Sequence, residues 1–211
     1  MAVIFDMDGT LIDSERIYLE MWKEVVDVNR YPGFMDLALH MVGIPAQDGK
    51  EIFCERYGSD FPYEQIWNDL DNLFCERYKT EPVPLKSGAK ELLKHLRNKG
   101  IRLAVASSTP SPLVQNNLRN AGILEYFDEI ISGEMVKRGK PHPDIFLLAA
   151  EKLGDDPADC TVIEDSPDGI RAAYAAGMKP IMIPDLIPPT EEILAKASAV
   201  FPSLSELISV L

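Results

Sequence analysis

The sequence predicts an α/β fold: a doubly wound, Rossmann-like, mainly parallel sheet core with an inserted α-helical cap. Three observations predict it. Short apolar runs alternate with segments of helical period across residues 85–183, those helical segments stop at glycines, and a helix-like stretch rich in charge and aromatics interrupts the pattern directly after the first apolar run.

That first run, Ala2-Val3-Ile4-Phe5, is apolar and partly β-branched, and it halts at Asp6-Met7-Asp8-Gly9, so it reads as a buried strand entering a turn. Residues 101–106, 129–131, 161–163 and 180–183 repeat the pattern of a short apolar run bounded by polar residues, Gly or Pro. Between and before them, helices are expected over 89–98, 113–120, 144–153 and 167–176, closed by Gly100, Gly122, Gly154 and Gly177. The last has the fullest signal, with Ser166 to cap, Pro167 in the first turn and Gly177 beyond the end. Ser203-Leu204-Ser205-Glu206 is a capping-box pattern for a short final helix.

Residues 14–28, 48–57 and 63–78 read as helices of the insert, which divides the chain into a core of 1–13 plus 84–211 and a cap of 14–83. Pro82-Val83-Pro84 would stiffen the junction as a hinge, across which the cap opens and closes. Inside the insert Phe-Cys-Glu-Arg-Tyr occurs at 53–57 and again at 74–78, which suits two similar amphipathic helices facing each other. Tyr18, Trp22, Tyr63 and Trp67 there serve either core or pocket.

Composition narrows the function. With 34 acidic and 21 basic side chains the net charge is −13, which opposes a polyanionic partner, and no Lys/Arg run marks a nucleic-acid tail. No apolar stretch reaches the roughly 18 residues of a membrane span, and the apolar start lacks a basic flank. A soluble, cytoplasmic monomer is expected. Cys54, Cys75 and Cys160 are too few and too scattered for a disulfide framework or a zinc site.

The chemistry gathers at strand ends. Asp6 and Asp8 stand two apart at the end of an extended segment, so their carboxylates project to one side and repel unless a hard cation or donors stabilise them. In open α/β sheets ligands bind beyond the carboxyl ends of the strands. There the other strands offer Ser107-Ser108-Thr109, Lys140 in Gly-Lys-Pro-His-Pro-Asp, and Glu164-Asp165. Four carboxylates, a hydroxyl and an ammonium suit a divalent cation and a phosphate; Mg²⁺ takes about six oxygens, including carboxylates, water and phosphate. Ser107-Ser108-Thr109 also has the composition of a simple ST-turn, and Asp168 reads as a helix-start residue. His40, His95 and His142 lack partners at the spacing of a catalytic triad.

Asp6-Met7-Asp8-Gly9-Thr10-Leu11, Ser107, Lys140 and Glu164-Asp165 resemble, in order, the four signature motifs of the haloacid dehalogenase superfamily, across nearly the whole chain. The inserted cap is similar to that of the subgroup containing β-phosphoglucomutase and the small sugar-phosphate and pseudouridine-phosphate phosphatases. The resemblance implies a Mg²⁺-dependent phosphatase of small phosphate monoesters, acting on a small phosphorylated metabolite through an aspartyl phosphate. It makes Asp6 the nucleophile and Asp8 the general acid and base, whose carbonyl also binds Mg²⁺. Ser107 and Lys140 bind phosphate oxygens, helped by backbone N–H groups of Met7 to Gly9 and of Ser108. Asp6 and Asp165 ligate the metal, with Glu164 as a second or water-mediated ligand. Tyr18 and Ala46 stand where β-phosphoglucomutases carry a His and an Arg, which weakens a mutase reading. A phosphorylatable Mg²⁺-binding signalling domain is a further alternative, disfavoured by the cap and by Asp8.

Overall fold

The computed structural model describes residues 1–42 and 46–211. The chain divides into two compact units, Met1–Asp13 with Pro82–Leu211, and Ser14–Glu81.

The first unit is built on a parallel sheet that, among the described residues, has six strands in the order β3-β2-β1-β4-β5-β6. The strands are β1 (Ala2–Phe5), β2 (Arg102–Ser107), β3 (Glu129–Ser132), β4 (Cys160–Glu164), β5 (Lys179–Met182) and β6 (Ala199–Val200). Chain order reverses between β1 and β4, so the crevice at a doubly wound sheet's switch point opens beyond these two strands. Every residue of β1 and β4 is buried, as expected for strands covered on both faces. One core cluster joins Ile4, Ala104, Ile131 and Val162 of the sheet to Ile145, Phe146, Ala149, Ala172 and Ala173 of the helices.

The crossover helices are α5 (Ala89–Asn98), α6 (Ser111–Asn120), α7 (Asp144–Leu153) and α8 (Pro167–Ala175), followed by α9 (Glu191–Lys196) and α10 (Leu204–Leu207). Gly100, Gly122, Gly154 and Gly177 take φ of 72, 64, 69 and 73°, the left-handed turn that closes a helix. The Ser166 hydroxyl accepts the Gly169 amide, the cap expected there. Ser203 is the N-cap of α10, but its side chain makes no capping bond, so the capping box is not formed. β6 and α9 were not anticipated: β6 is only two residues long, whereas α9 carried a legible start in Thr190, whose hydroxyl accepts the Ile193 amide.

Both chain connections at the edge of this unit lie side by side. Ile12 pairs antiparallel with Leu85, the Asp13 amide donates to the Pro84 carbonyl at 2.8 Å, and that of Lys86 to Leu11 at 2.9 Å. Lys86 Nζ then reaches Asp13 at 3.2 Å and the buried Asp185 at 2.6 Å.

The second unit is helical: α1 (Ser14–Val25), α2 (Phe34–His40), α3 (Ala46–Tyr57) and α4 (Tyr63–Arg77). Its core is aromatic, with Trp22 at 5.4 Å from Phe34 and 5.8 Å from Phe53, and Phe53 at 5.5 Å from Phe61. Phe53 and Phe74 of the recurring pentapeptide are both buried, and α3 packs on α4. Trp22 and Tyr63 are core residues, whereas Tyr18 and Trp67 stay partly exposed. Tyr18 stacks on Phe74 at 4.5 Å and donates to Asp71 at 3.3 Å. Helix α2 was missed because it is short and enters from Gly33 with no side-chain cap. The side chain of Ala46 lies outside the described residues.

Candidate active site

Parallel register aligns the strand ends. Phe5 pairs with Val105 on one side and Ile163 on the other, so Asp6, Ser107 and Glu164-Asp165 emerge together. The Asp6 amide donates to the Ile163 carbonyl at 3.0 Å, holding Asp6 against β4. Asp6, Ser107, Glu164 and Asp165 are all buried polar residues at the ends of these strands.

Lys140 comes from the loop between β3 and α7. Its Nζ lies 2.5 Å from Asp6 Oδ1 and 2.8 Å from Glu164 Oε1, and 5.0 Å from the centre of the Phe146 ring. Burial works against the ammonium, but Asp6 and Glu164 outweigh it and hold Lys140 well above its ordinary value, so it stays charged. Burial pushes the Asp6 carboxyl well above the usual range; Lys140 opposes this, and Glu164 and Asp8 add to it. One ammonium is therefore shared between two buried carboxyl groups.

The other carboxylates have distinct partners. Asp8 Oδ2 accepts from Thr109 Oγ1 at 2.7 Å and from Ser107 Oγ at 3.2 Å. Asp165 Oδ1 accepts from Thr10 Oγ1 at 2.8 Å, and its carboxylate lies where a Cβ on Gly9 would sit. Gly9 also has φ of 77°, so glycine is required there both for the turn and for this close approach.

These contacts change several expectations. The four carboxylates do not pool into one cage: among the described residues no three His, Cys, Asp or Glu side chains form a metal-holding group. Lys140 stands between Asp6 and Glu164, and hydroxyls draw Asp8 and Asp165 to other partners. Glu164, expected as a second or water-mediated metal ligand, has Oε1 on Lys140 and Oε2 on the Ser166 amide at 2.6 Å. The Gly9 amide, expected to bind phosphate, donates to the Ile12 carbonyl at 3.0 Å and is used within the turn. Met7 is buried and Ser108 exposed, both at the strand mouths expected of them. Asp168 pairs with Arg171 at 2.6 Å, the helix-start role read from sequence. Thr109 joins the ST-turn read from sequence through its amide on Ser107 Oγ at 3.0 Å, while the role of Thr10 emerges only from its bond to Asp165.

A hard divalent cation fits the remaining donors. Asp6, Asp165 and the Asp8 carbonyl would offer oxygen donors, and Mg²⁺ needs only one or two carboxylates when water and phosphate complete its shell. Burial and the nearby Glu164 and Asp8 disfavour an ionised Asp6, and a bound dication would offset that cost.

A family model described as haloacid dehalogenase-like hydrolase matches residues 1–177. The chain belongs to this family. The match spans β1 to α8 of the doubly wound sheet unit and the helical unit between them. This haloacid dehalogenase-like chain is 36% identical over 184 residues to the phosphorylated carbohydrates phosphatase of Thermotoga maritima, covering 85% of this chain and 83% of that one. It is 33% identical over 183 residues to the β-phosphoglucomutase of Bacillus subtilis, covering 84% and 80%. Among solved structures, CbbY from Rhodobacter sphaeroides in complex with phosphate superposes with a TM-score of 0.79 at 28% identity, covering 98% of this chain and 95% of that one. No helix among the described residues is long and apolar enough to cross a membrane.

Proposed function

We propose that this chain is a Mg²⁺-dependent phosphatase of small phosphate monoesters, sugar phosphates above all, and that it works through a phosphorylated Asp6. The observation that carries this is the buried Asp6 carboxyl at the switch point, bonded to Lys140 at 2.5 Å beside Glu164. Identity of 36% to a phosphorylated carbohydrates phosphatase supports the substrate class.

An Asp6 oxygen attacks phosphorus as the bond to the alcohol oxygen breaks. Asp8 gives that oxygen its proton, then takes one from the water that hydrolyses the acyl phosphate and restores Asp6. Lys140, oriented by Glu164, stabilises charge on the transferring group, as does the Ser107 hydroxyl. The amides of Met7 and Ser108 are further donors to the phosphoryl oxygens. Asp6, Asp165 and the Asp8 carbonyl would hold Mg²⁺, which when bound would supply Lewis-acid stabilisation to the transferring group. The helical unit Ser14–Glu81 is assigned the role of cap.

A mutase has less support, although a β-phosphoglucomutase is among the relatives. At Tyr18 a phenol bonded to Asp71 replaces the imidazole expected of such an enzyme.

Phosphate release across a panel of phosphorylated metabolites and p-nitrophenyl phosphate tests the reading. Turnover is expected to vanish with EDTA and in Asp6→Asn. Metal-independent turnover that survives Asp6→Asn refutes it.

A further inference from the structure

The loop after β2 contains a device that the proposed mechanism leaves unexplained. Thr109 stands immediately before Pro110, the N-cap residue of α6. Pro110 makes no side-chain cap, and the Ser111 amide is taken by Glu134 at 3.1 Å. The Thr109 hydroxyl is spent on Asp8 Oδ2 at 2.7 Å, a shorter bond than the 3.2 Å from Ser107 to the same oxygen. The Thr109 amide meanwhile donates to Ser107 Oγ at 3.0 Å.

Proton counting gives this triangle a consequence. A serine hydroxyl has one proton to donate. Ser107 gives it to Asp8 here, and must withdraw it from Asp8 to donate to a phosphoryl oxygen. From that moment Ser107 no longer holds Asp8 Oδ2, and the bond from Thr109 remains. The Thr109 amide, already on Ser107 Oγ, keeps the serine oriented through the exchange.

We propose that Thr109 is a positioning residue for the general acid: it holds Asp8 Oδ2 as the accepting carbonyl oxygen, so that Oδ1 carries the proton given to the departing alcohol. The inference rests on the phosphatase reading above. In the step concerned, the bond from Asp6 oxygen to phosphorus forms and the phosphorus–alcohol oxygen bond breaks. The Oδ1 proton passes to that oxygen, and Asp8 is left as a carboxylate whose Oδ2 still accepts from Thr109.

The test compares kcat/KM, which reports only steps through alcohol release, for two esters. One is the sugar phosphate that the wild type hydrolyses fastest; the other is p-nitrophenyl phosphate, whose phenolate leaves without needing a proton. Thr109→Val is expected to lower kcat/KM for the sugar phosphate about 10- to 100-fold and to affect p-nitrophenyl phosphate far less. Thr109→Ser, which keeps the hydroxyl, is expected to restore the sugar phosphate rate. Thermal unfolding of both variants identifies any loss due to folding. Equal losses on the two esters, no loss on the sugar phosphate, or failure of a folded Thr109→Ser to recover overturns the role of Thr109. Absence of wild-type turnover on either ester, or turnover that survives Asp6→Asn, overturns instead the reading on which it rests.

Discussion

Gly169→Ala is expected to destabilise this protein, against the usual effect of alanine in a helix. Gly169 lies in the first turns of α8, where replacing glycine by alanine ordinarily adds about 1 kcal/mol of stability. Here a Cβ at 169 would overlap the Glu164 carboxylate, including both its oxygens. Glu164 is buried and cannot yield without giving up Lys140 at 2.8 Å and the Ser166 amide at 2.6 Å. Breaking a buried charge pair costs about 3 to 5 kcal/mol, so the net loss is about 2 to 4 kcal/mol after the helical gain. For a domain of this size that lowers the melting temperature by about 4 to 16 °C. Because Lys140 would lose one of its two anchors, kcat is expected to fall as well, by about 100-fold for a displacement of about 1 Å. Thermal unfolding and phosphate release on the same preparation check both parts. A variant that melts at or above the wild-type temperature, or keeps its kcat, would falsify the account of Glu164 as the orienting partner of Lys140.

Lys140→Met leaves Asp6 and Glu164 buried without their ammonium, and is expected to cost about 3 to 5 kcal/mol near neutral pH; adding Glu164→Gln should recover part of that, and purely additive losses in denaturant melts would contradict the coupling. Asp6 is raised above the ordinary carboxylate range by burial, so the folded metal-free chain keeps a proton there that the unfolded chain releases. Stability of the metal-free protein therefore falls as pH rises from the ordinary carboxylate range through the elevated Asp6 value, and Mg²⁺ should raise the melting temperature more at the high end of that window than at the low end. A metal increment independent of pH would count against Asp6 as a ligand. Lys86→Met removes the bridge from the second chain connection to Asp13 and Asp185, and is expected to cost about 1 to 3 kcal/mol and to speed proteolytic cutting near residues 78–84, read by gel after brief digestion; unchanged cutting and melting would leave that bridge without a role.

What the sequence by itself determined was the local order and the inventory. Strands such as Ala2–Phe5 announce themselves as apolar runs, and helices such as Asp144–Leu153 by their period and closing glycine, because these signals depend on neighbours a few residues away. The family motifs were legible for the same reason: each is a short run at the end of one strand. The tertiary structure decided which group holds which. Glu164 belongs with Lys140, 24 residues before it, Thr10 with Asp165, 155 residues away, and Thr109 with Asp8, 101 away. No local pattern encodes such partners, since they depend on the strand order β2-β1-β4 and on side-chain rotation at the strand ends. The Gly9 amide shows the same limit at close range: it looked available to phosphate until the turn brought the Ile12 carbonyl to 3.0 Å. A buried polar group must find a partner, and which partner it finds is settled only when the chain has packed.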